Sequence, residues 1–177
     1  MEVGMELRRI VTGHTSDGAS TVVEDSVLQS FDAAGQRWLK VWATAAPPSF
    51  PDGGIEPGLE EYFPPVGGTR VVIVEFPDAT AEDLEIPDPD AMLTEFGMHF
   101  VNNLAEVDME RPGMHRSATY DFGYVLEGDV VMELDDGETH LTAGDLVVQN
   151  GTMHAWHNRG DRTARMLFVC IGAHLDA

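Results

Sequence analysis

Gly113-Met114-His115-Arg116-Ser117-Ala118-Thr119-Tyr120-Asp121 opens the stretch that decides the fold. Gly144-Asp145-Leu146-Val147-Val148-Gln149-Asn150-Gly151-Thr152-Met153-His154-Ala155-Trp156-His157-Asn158 closes it. Three short apolar runs lie inside: Phe122–Leu126, Val130–Leu134 and Leu146–Val148. Gly128-Asp129, Asp135-Asp136-Gly137 and Gly144-Asp145 separate them. Runs this short, rich in Val and Tyr and bounded by Gly and Asp, predict strands of an antiparallel meander. Asp136-Gly137 is a hairpin signal, because Gly accepts a positive φ without strain. Strands at this regular spacing point to a barrel or a sandwich.

Alternate residues of a strand share a face. Counting by twos from His115 sets Ser117, Thr119, Asp121, Gly123 and Val125 on one side. Arg116, Ala118, Tyr120, Phe122 and Tyr124 fall on the other. Near the end of the stretch, His154, Trp156 and Asn158 share a face. Two imidazoles and one carboxylate inside a barrel make a donor set suited to a divalent metal. His115, Asp121 and His154 are therefore the expected metal ligands.

The stretch resembles the two-motif core of the cupin superfamily, a small jelly-roll barrel. His115, Ser117, Asp121 and Gly128 stand in the places of the first motif, with its intervals kept. Gly144-Asp145, Gly151, His154 and Asn158 match the second. Two departures matter: Ser117 replaces the usual second His, and Asp121 the usual Glu. Gln149-Asn150 also stand where a Pro is common, and that segment is one residue shorter. Ser117 is too weakly basic to bind a metal strongly, although it suits a bound water. Asp reaches about one carbon less than Glu, which leaves a second role open for Asp121, orienting a His.

The resemblance covers residues 112–172. It implies an all-β chain with a single jelly-roll cupin barrel. Residues 1–68 are expected to be N-terminal strands, a β arm, and a wrapping loop. Residues 69–177 are expected to form the barrel, interrupted by a helical insertion at about 78–110 before the first motif.

The 177 residues suit one structural domain, long enough to bury about 70% of the surface of the unfolded chain. With 31 acidic against 10 basic residues, the net charge is −21, which repels a phosphate backbone. No nucleic-acid partner is expected, and the acidity reads as a solubility feature. No apolar run approaches membrane-spanning length, and Met-Glu-Val-Gly-Met-Glu does not read as a signal peptide. No membrane partner and a cytoplasmic location are expected. Cys170, the single Cys, lies in the apolar run Met166–Ile171 and reads as a small buried residue.

Toward the N-terminus, residues 7–28 predict two strands joined by a Gly/Ser/Asp turn. Gln36–Thr44 alternates, with Trp38, Lys40 and Trp42 opposed to Leu39, Val41 and Ala43. The two Trp read either as core packing or as part of a cavity wall or dimer seam. Residues 45–69 are a Pro- and Gly-rich loop, and Thr69–Phe76 is a nearly continuous apolar strand. Within the expected insertion, Met92, Phe96, Phe100 and Leu104 recur at steps of four. His99 lies on the opposite face, either solvated or, if the helix is a lid, facing a substrate.

Ser117, Thr119, Trp156 and His99 are the expected substrate-binding residues, around one divalent ion of iron, manganese, nickel, cobalt or zinc. The implied function is a metal-dependent small-molecule enzyme acting on a small organic acid or an aromatic or polyketide-like metabolite. Cyclase, decarboxylase, isomerase and dioxygenase-like chemistries are all open. The alternative is a non-catalytic small-ligand-binding cupin without metal. Chains of this kind with extra N-terminal strands pair, so a homodimer is expected. Sedimentation at micromolar concentration tests this: a species of twice 19.3 kDa is the expected result, and a monomer alone overturns it.

Overall fold

The computed structural model describes residues 5–33, 35–57, 62–78, 104–111 and 113–175. Every regular element among them is a β-strand. β1 (Glu6–His14) and β2 (Ser20–Gln29) form a hairpin, followed by β3 (Phe31–Ala33), β4 (Gln36–Thr44) and β5 (Thr69–Phe76). β6 (Leu104–Val107) precedes the motif-bearing strands β7 (His115–Ser117), β8 (Thr119–Glu127), β9 (Asp129–Leu134) and β10 (Gly137–Thr142). β11 (Leu146–Gln149), β12 (Ala155–His157) and β13 (Ala164–Gly172) complete the chain.

The larger sheet runs β11-β8-β13-β5-β4-β3, and the smaller one β10-β9-β12. Their inner faces meet in one core, where Val72, Val74, Met166 and Phe168 of the first pack with Val130 and Leu141 of the second. Strict alternation drives this arrangement. In β13 the even-numbered residues from Ala164 to Gly172 are buried and the odd ones half-exposed. In β8, Thr119, Asp121, Gly123 and Val125 are buried while Tyr120 and Tyr124 face out. A one-residue slip would turn either set inside out, so the hydrophobic pattern holds the register. The all-β jelly-roll barrel expected from the sequence is the fold that forms.

The helical insertion needs correction where it can be followed. Residues 79–103, which include His99 and most of the apolar stripe, lie outside the described residues. Leu104, the last residue of that stripe, stands on β6, which pairs antiparallel with β7. Its side of the pairing is extended because the β7 edge offers it backbone partners, and a helix there would forgo them. No helix among the described residues is long and apolar enough to cross a membrane.

The β4 expectation also changes, for a local reason. The pairing of β4 with β5 shifts register between Lys40 and Trp42, so an extra residue, Val41, sits in the strand. Such a bulge reverses the alternation beyond it. Trp38 therefore faces the interior, with its indole N–H donating to the Ala33 carbonyl at 3.0 Å. Trp42 turns to the other face, under the Arg9 guanidinium at 5.5 Å. Arg9 donates to the Val41 carbonyl at 2.9 Å and pairs with Glu24 and Glu56 at 2.6 Å each. One cation thus ties the N-terminal hairpin to the bulge of this same chain.

Residues 62–68 close one end of the barrel by lying against the end of β13. Gly67 N–H donates to the Gly172 carbonyl, and Gly172 N–H to the Gly68 carbonyl. A Cβ on Gly172 would lie 1.9 Å from the Pro65 oxygen, so only Gly permits this approach. The close approach seats Tyr62 and Phe63 in the core. Gly172→Ala is expected to displace that segment and cost about 1–3 kcal/mol, an overpacking penalty read by urea unfolding.

Candidate functional site

The inner faces leave a cavity of about 120 Å³ whose walls include His115, Ser117, Asp121, Gln149, His154, Trp156, Tyr62 and Cys170. His115 and His154 come from residues far apart in the chain but are directly opposed in an antiparallel bridge. His115 N–H donates to the His154 carbonyl at 2.9 Å, and His154 N–H to the His115 carbonyl at 3.0 Å. Opposed residues in such a pair present their side chains on one face. The imidazole centroids accordingly lie 4.5 Å apart, tilted by 49°.

Each ring is oriented by its own backbone. Nδ1 of His115 donates to the Gly113 carbonyl at 2.8 Å, and Nδ1 of His154 to the Thr152 carbonyl at 2.9 Å. A carbonyl only accepts, so each neutral imidazole carries its proton on Nδ1 and keeps the Nε2 lone pair free. Burial lowers both pKa values. For His154, burial and then the neighbouring His115 bring the value down to about 3. For His115 the cause is burial, offset in part by the Gly113 carbonyl. Both rings are neutral at ordinary pH. Two oriented, unprotonated Nε2 atoms side by side are what a metal ion needs of its imidazoles.

Asp121 does not join them. Its Oδ2 accepts from Thr119 Oγ1 at 3.0 Å, and Thr119 Oγ1 is 2.7 Å from Ser117 Oγ. Its neighbours across the sheet are Gln149 on β11 and Cys170 on β13. Among the described residues, no three His, Cys, Asp or Glu side chains gather as a metal-binding group. Burial pushes the Asp121 carboxyl up to about 6, against the lowering effect of Thr119 and Cys170. Burial, then the adjacent Asp121, holds the Cys170 thiol protonated, and burial does the same for the Tyr62 phenol.

The other expected residues divide. Ser117 and Trp156 line the cavity, and the indole of Trp156 stands edge-on to His154 at 5.7 Å and to Phe168 at 5.4 Å. Thr119 is buried behind the wall as the link between Ser117 and Asp121. His99 lies outside the described residues. Asn158, on the inward parity, is used structurally: its amide donates to the carbonyls of Phe76 and Arg162. His157 faces away and meets Glu133 at 2.9 Å.

Sequence reasoning missed Gln149, Cys170, Tyr62 and Phe63. Gln149 and Cys170 carried a usable signal, since each falls opposite Asp121 once the strands are paired. Tyr62 and Phe63 carried none, coming from a loop without periodicity.

Residues 106–170 match the family model described as Cupin domain. Over these residues the chain carries a cupin domain. Curated relatives of the cupin include phomopsin biosynthesis cluster protein D of Diaporthe leptostromiformis, 45% identical over 69 residues, 36% of each chain. Another is the cupin-domain-containing oxidoreductase fogC of Aspergillus ruber, 38% identical over 87 residues, 44% of this chain and 43% of that one. The matched region is thus well under half the length of these relatives. Among solved structures, the Schizosaccharomyces pombe Cnp3 cupin domain overlaps 93% of this chain and 87% of its own at 8% identity, with a TM-score of 0.47.

The raised value of Asp121 has a thermodynamic sign. A carboxyl whose folded pKa exceeds its unfolded value near 3.8 favours folding most at low pH, and that advantage is lost as pH rises through about 6. In chelator-treated protein, Asp121→Asn is therefore expected to gain about 1–3 kcal/mol over wild type at pH 8. The gap should close below pH ~4. Urea unfolding across this range measures it, and a gap that does not change with pH would refute the assignment.

Proposed function

We propose that this cupin is a small-molecule enzyme that binds a partly aromatic metabolite in the cavity between its sheets. The observation that carries the reading is the His115–His154 pair, two neutral rings with Nδ1 tied to carbonyls and Nε2 free. That donor set fits one divalent ion held by two protein nitrogens, with the remaining positions left to water and substrate. Such an ion, when bound, supplies Lewis-acid polarisation of a substrate oxygen. Iron, manganese, nickel, cobalt and zinc all suit these ligands. Asp121, expected from the sequence as the third ligand, is assigned here to proton handling at the substrate. Its pKa of about 6 lies near working pH, where a general acid or base is most effective. Trp156, Phe63 and Trp38 supply the apolar walls that take an aromatic body and exclude water.

The relatives named for biosynthesis clusters and as oxidoreductases support a metabolite-modifying role in kind, over the matched domain alone. A binding protein without turnover is favoured by one observation, the Ser117 hydroxyl where a third imidazole would stand. Metal content separates these readings. Elemental analysis of protein purified without a metal-affinity tag is expected to find about one divalent ion per chain. His154→Ala should lose the ion, whereas Asp121→Ala should keep it. Loss in Asp121→Ala would restore the three-ligand site, and a metal-free wild type with no thermal gain from added ions would leave the binding protein.

A further inference from the structure

Gln149 is 4% exposed at the cavity wall, and its amide has one permitted orientation. Oε1 accepts from Thr152 Oγ1 at 2.6 Å and from the Thr152 backbone N–H at 3.3 Å. A backbone N–H can only donate, so turning the amide round would set N–H against N–H. Nε2 is therefore fixed on the other side, where it is buried and has no hydrogen-bond partner. Directly across the β11–β8 pairing stands Asp121, 6% exposed, with Oδ2 bound to Thr119, the Cys170 thiol beside the carboxyl, and Oδ1 buried without an N–H or O–H donor. Opposed residues share a face, so the same wall holds one unsatisfied donor beside one unsatisfied acceptor. Buried polar groups are nearly always paired, and two adjacent exceptions in one cavity wall call for a ligand that pairs both.

We infer that Gln149 and Asp121 form the subsite that reads the ligand's polar edge: Gln149 Nε2 donates to a carbonyl oxygen, and Asp121 Oδ1 accepts from a hydroxyl or N–H beside it. Among the described residues no Lys or Arg lines the cavity, so a ligand carboxylate would meet no side-chain cation from them. The edge of the ligand that this subsite reads is uncharged, a carbonyl neighbouring a hydroxyl or an N–H, as in an amide, a hydroxy ketone or an enol. Gln149 acts as a specificity residue by meeting the carbonyl, with Thr152 as the group that aims it.

The inference rests on the cavity being a small-ligand site, and the test separates the two. Benzamide carries both polar groups, acetophenone the carbonyl alone, and toluene neither. Their binding is followed through the indole N–H resonances of Trp38 and Trp156, which line the cavity. Wild type is expected to bind benzamide best and toluene least. Gln149→Glu keeps the acceptor for Thr152 and replaces the Nε2 donor by a carboxyl oxygen opposite Asp121. It should weaken benzamide and acetophenone by about tenfold or more, the order expected for an unpaired buried group, and leave toluene unchanged. Gln149→Met, of similar length without either polar atom, should give the same selective loss and serves if the first variant does not fold. Asp121→Asn should weaken benzamide but not acetophenone. Benzamide bound equally by wild type and both Gln149 variants overturns this inference while leaving the cavity a ligand site. Failure of wild type to bind all three overturns both.

Discussion

The reciprocal backbone hydrogen bonds between His115 and His154 are the constraint on which the site depends. They join the strand that enters the barrel to the one that leaves the second motif, across 38 intervening residues. Because the bonds come from the main chain, the two rings are brought side by side whatever their protonation. The Gly113 and Thr152 carbonyls then set the tautomers. Burial keeps both rings neutral, since a charged imidazole there would lose its hydration and face its twin.

A second organising feature is the polar row across the inner face of the large sheet. Gln149, Asp121, Cys170 and Arg70 follow one another through β11, β8, β13 and β5 by direct cross-strand pairing. Rows of this kind are costly in a core unless their members satisfy one another. Here Thr119 takes one oxygen of Asp121 and Thr152 takes the oxygen of Gln149. The buried guanidinium of Arg70 donates to the Thr44 and Thr69 carbonyls. Gln149, Asp121 and Cys170 of this row line the cavity, so they form one wall of the site while aromatic residues form the others.

Much of this was legible in the chain. Alternation along β8 and β13 was readable because a sheet with one face in the core tolerates no slip, and so Asp121 was correctly placed inside. Thr119 shows the limit of the same argument: parity sets it inward, but not whether it reaches the cavity or lies behind a neighbour. The bulge at Val41 was invisible, since nothing in Lys40-Val41-Trp42 announces that the Val41 carbonyl will be taken by Arg9. Leu104 misled for a related reason. Its stripe fits a helix, but an available strand edge at β7 decides its conformation, and tertiary context overrides a local period.

By itself the sequence determined the fold class, the barrel strands around both motifs, and the inward parity of Ser117, Thr119, Asp121 and His154. The strands and their faces follow from local periodicity and turn chemistry, which act over a few residues, and the jelly-roll class from the resemblance carried by the two motifs. Only the tertiary structure decided which inward residues meet. His115 reaches His154 by a backbone bridge, whereas Asp121, two strand positions beyond Ser117, is bound by Thr119 and stands opposite Gln149 and Cys170. Parity assigns a side chain to a face, but distance across that face is set by strand pairing and sheet curvature, and these are properties of the whole packed barrel.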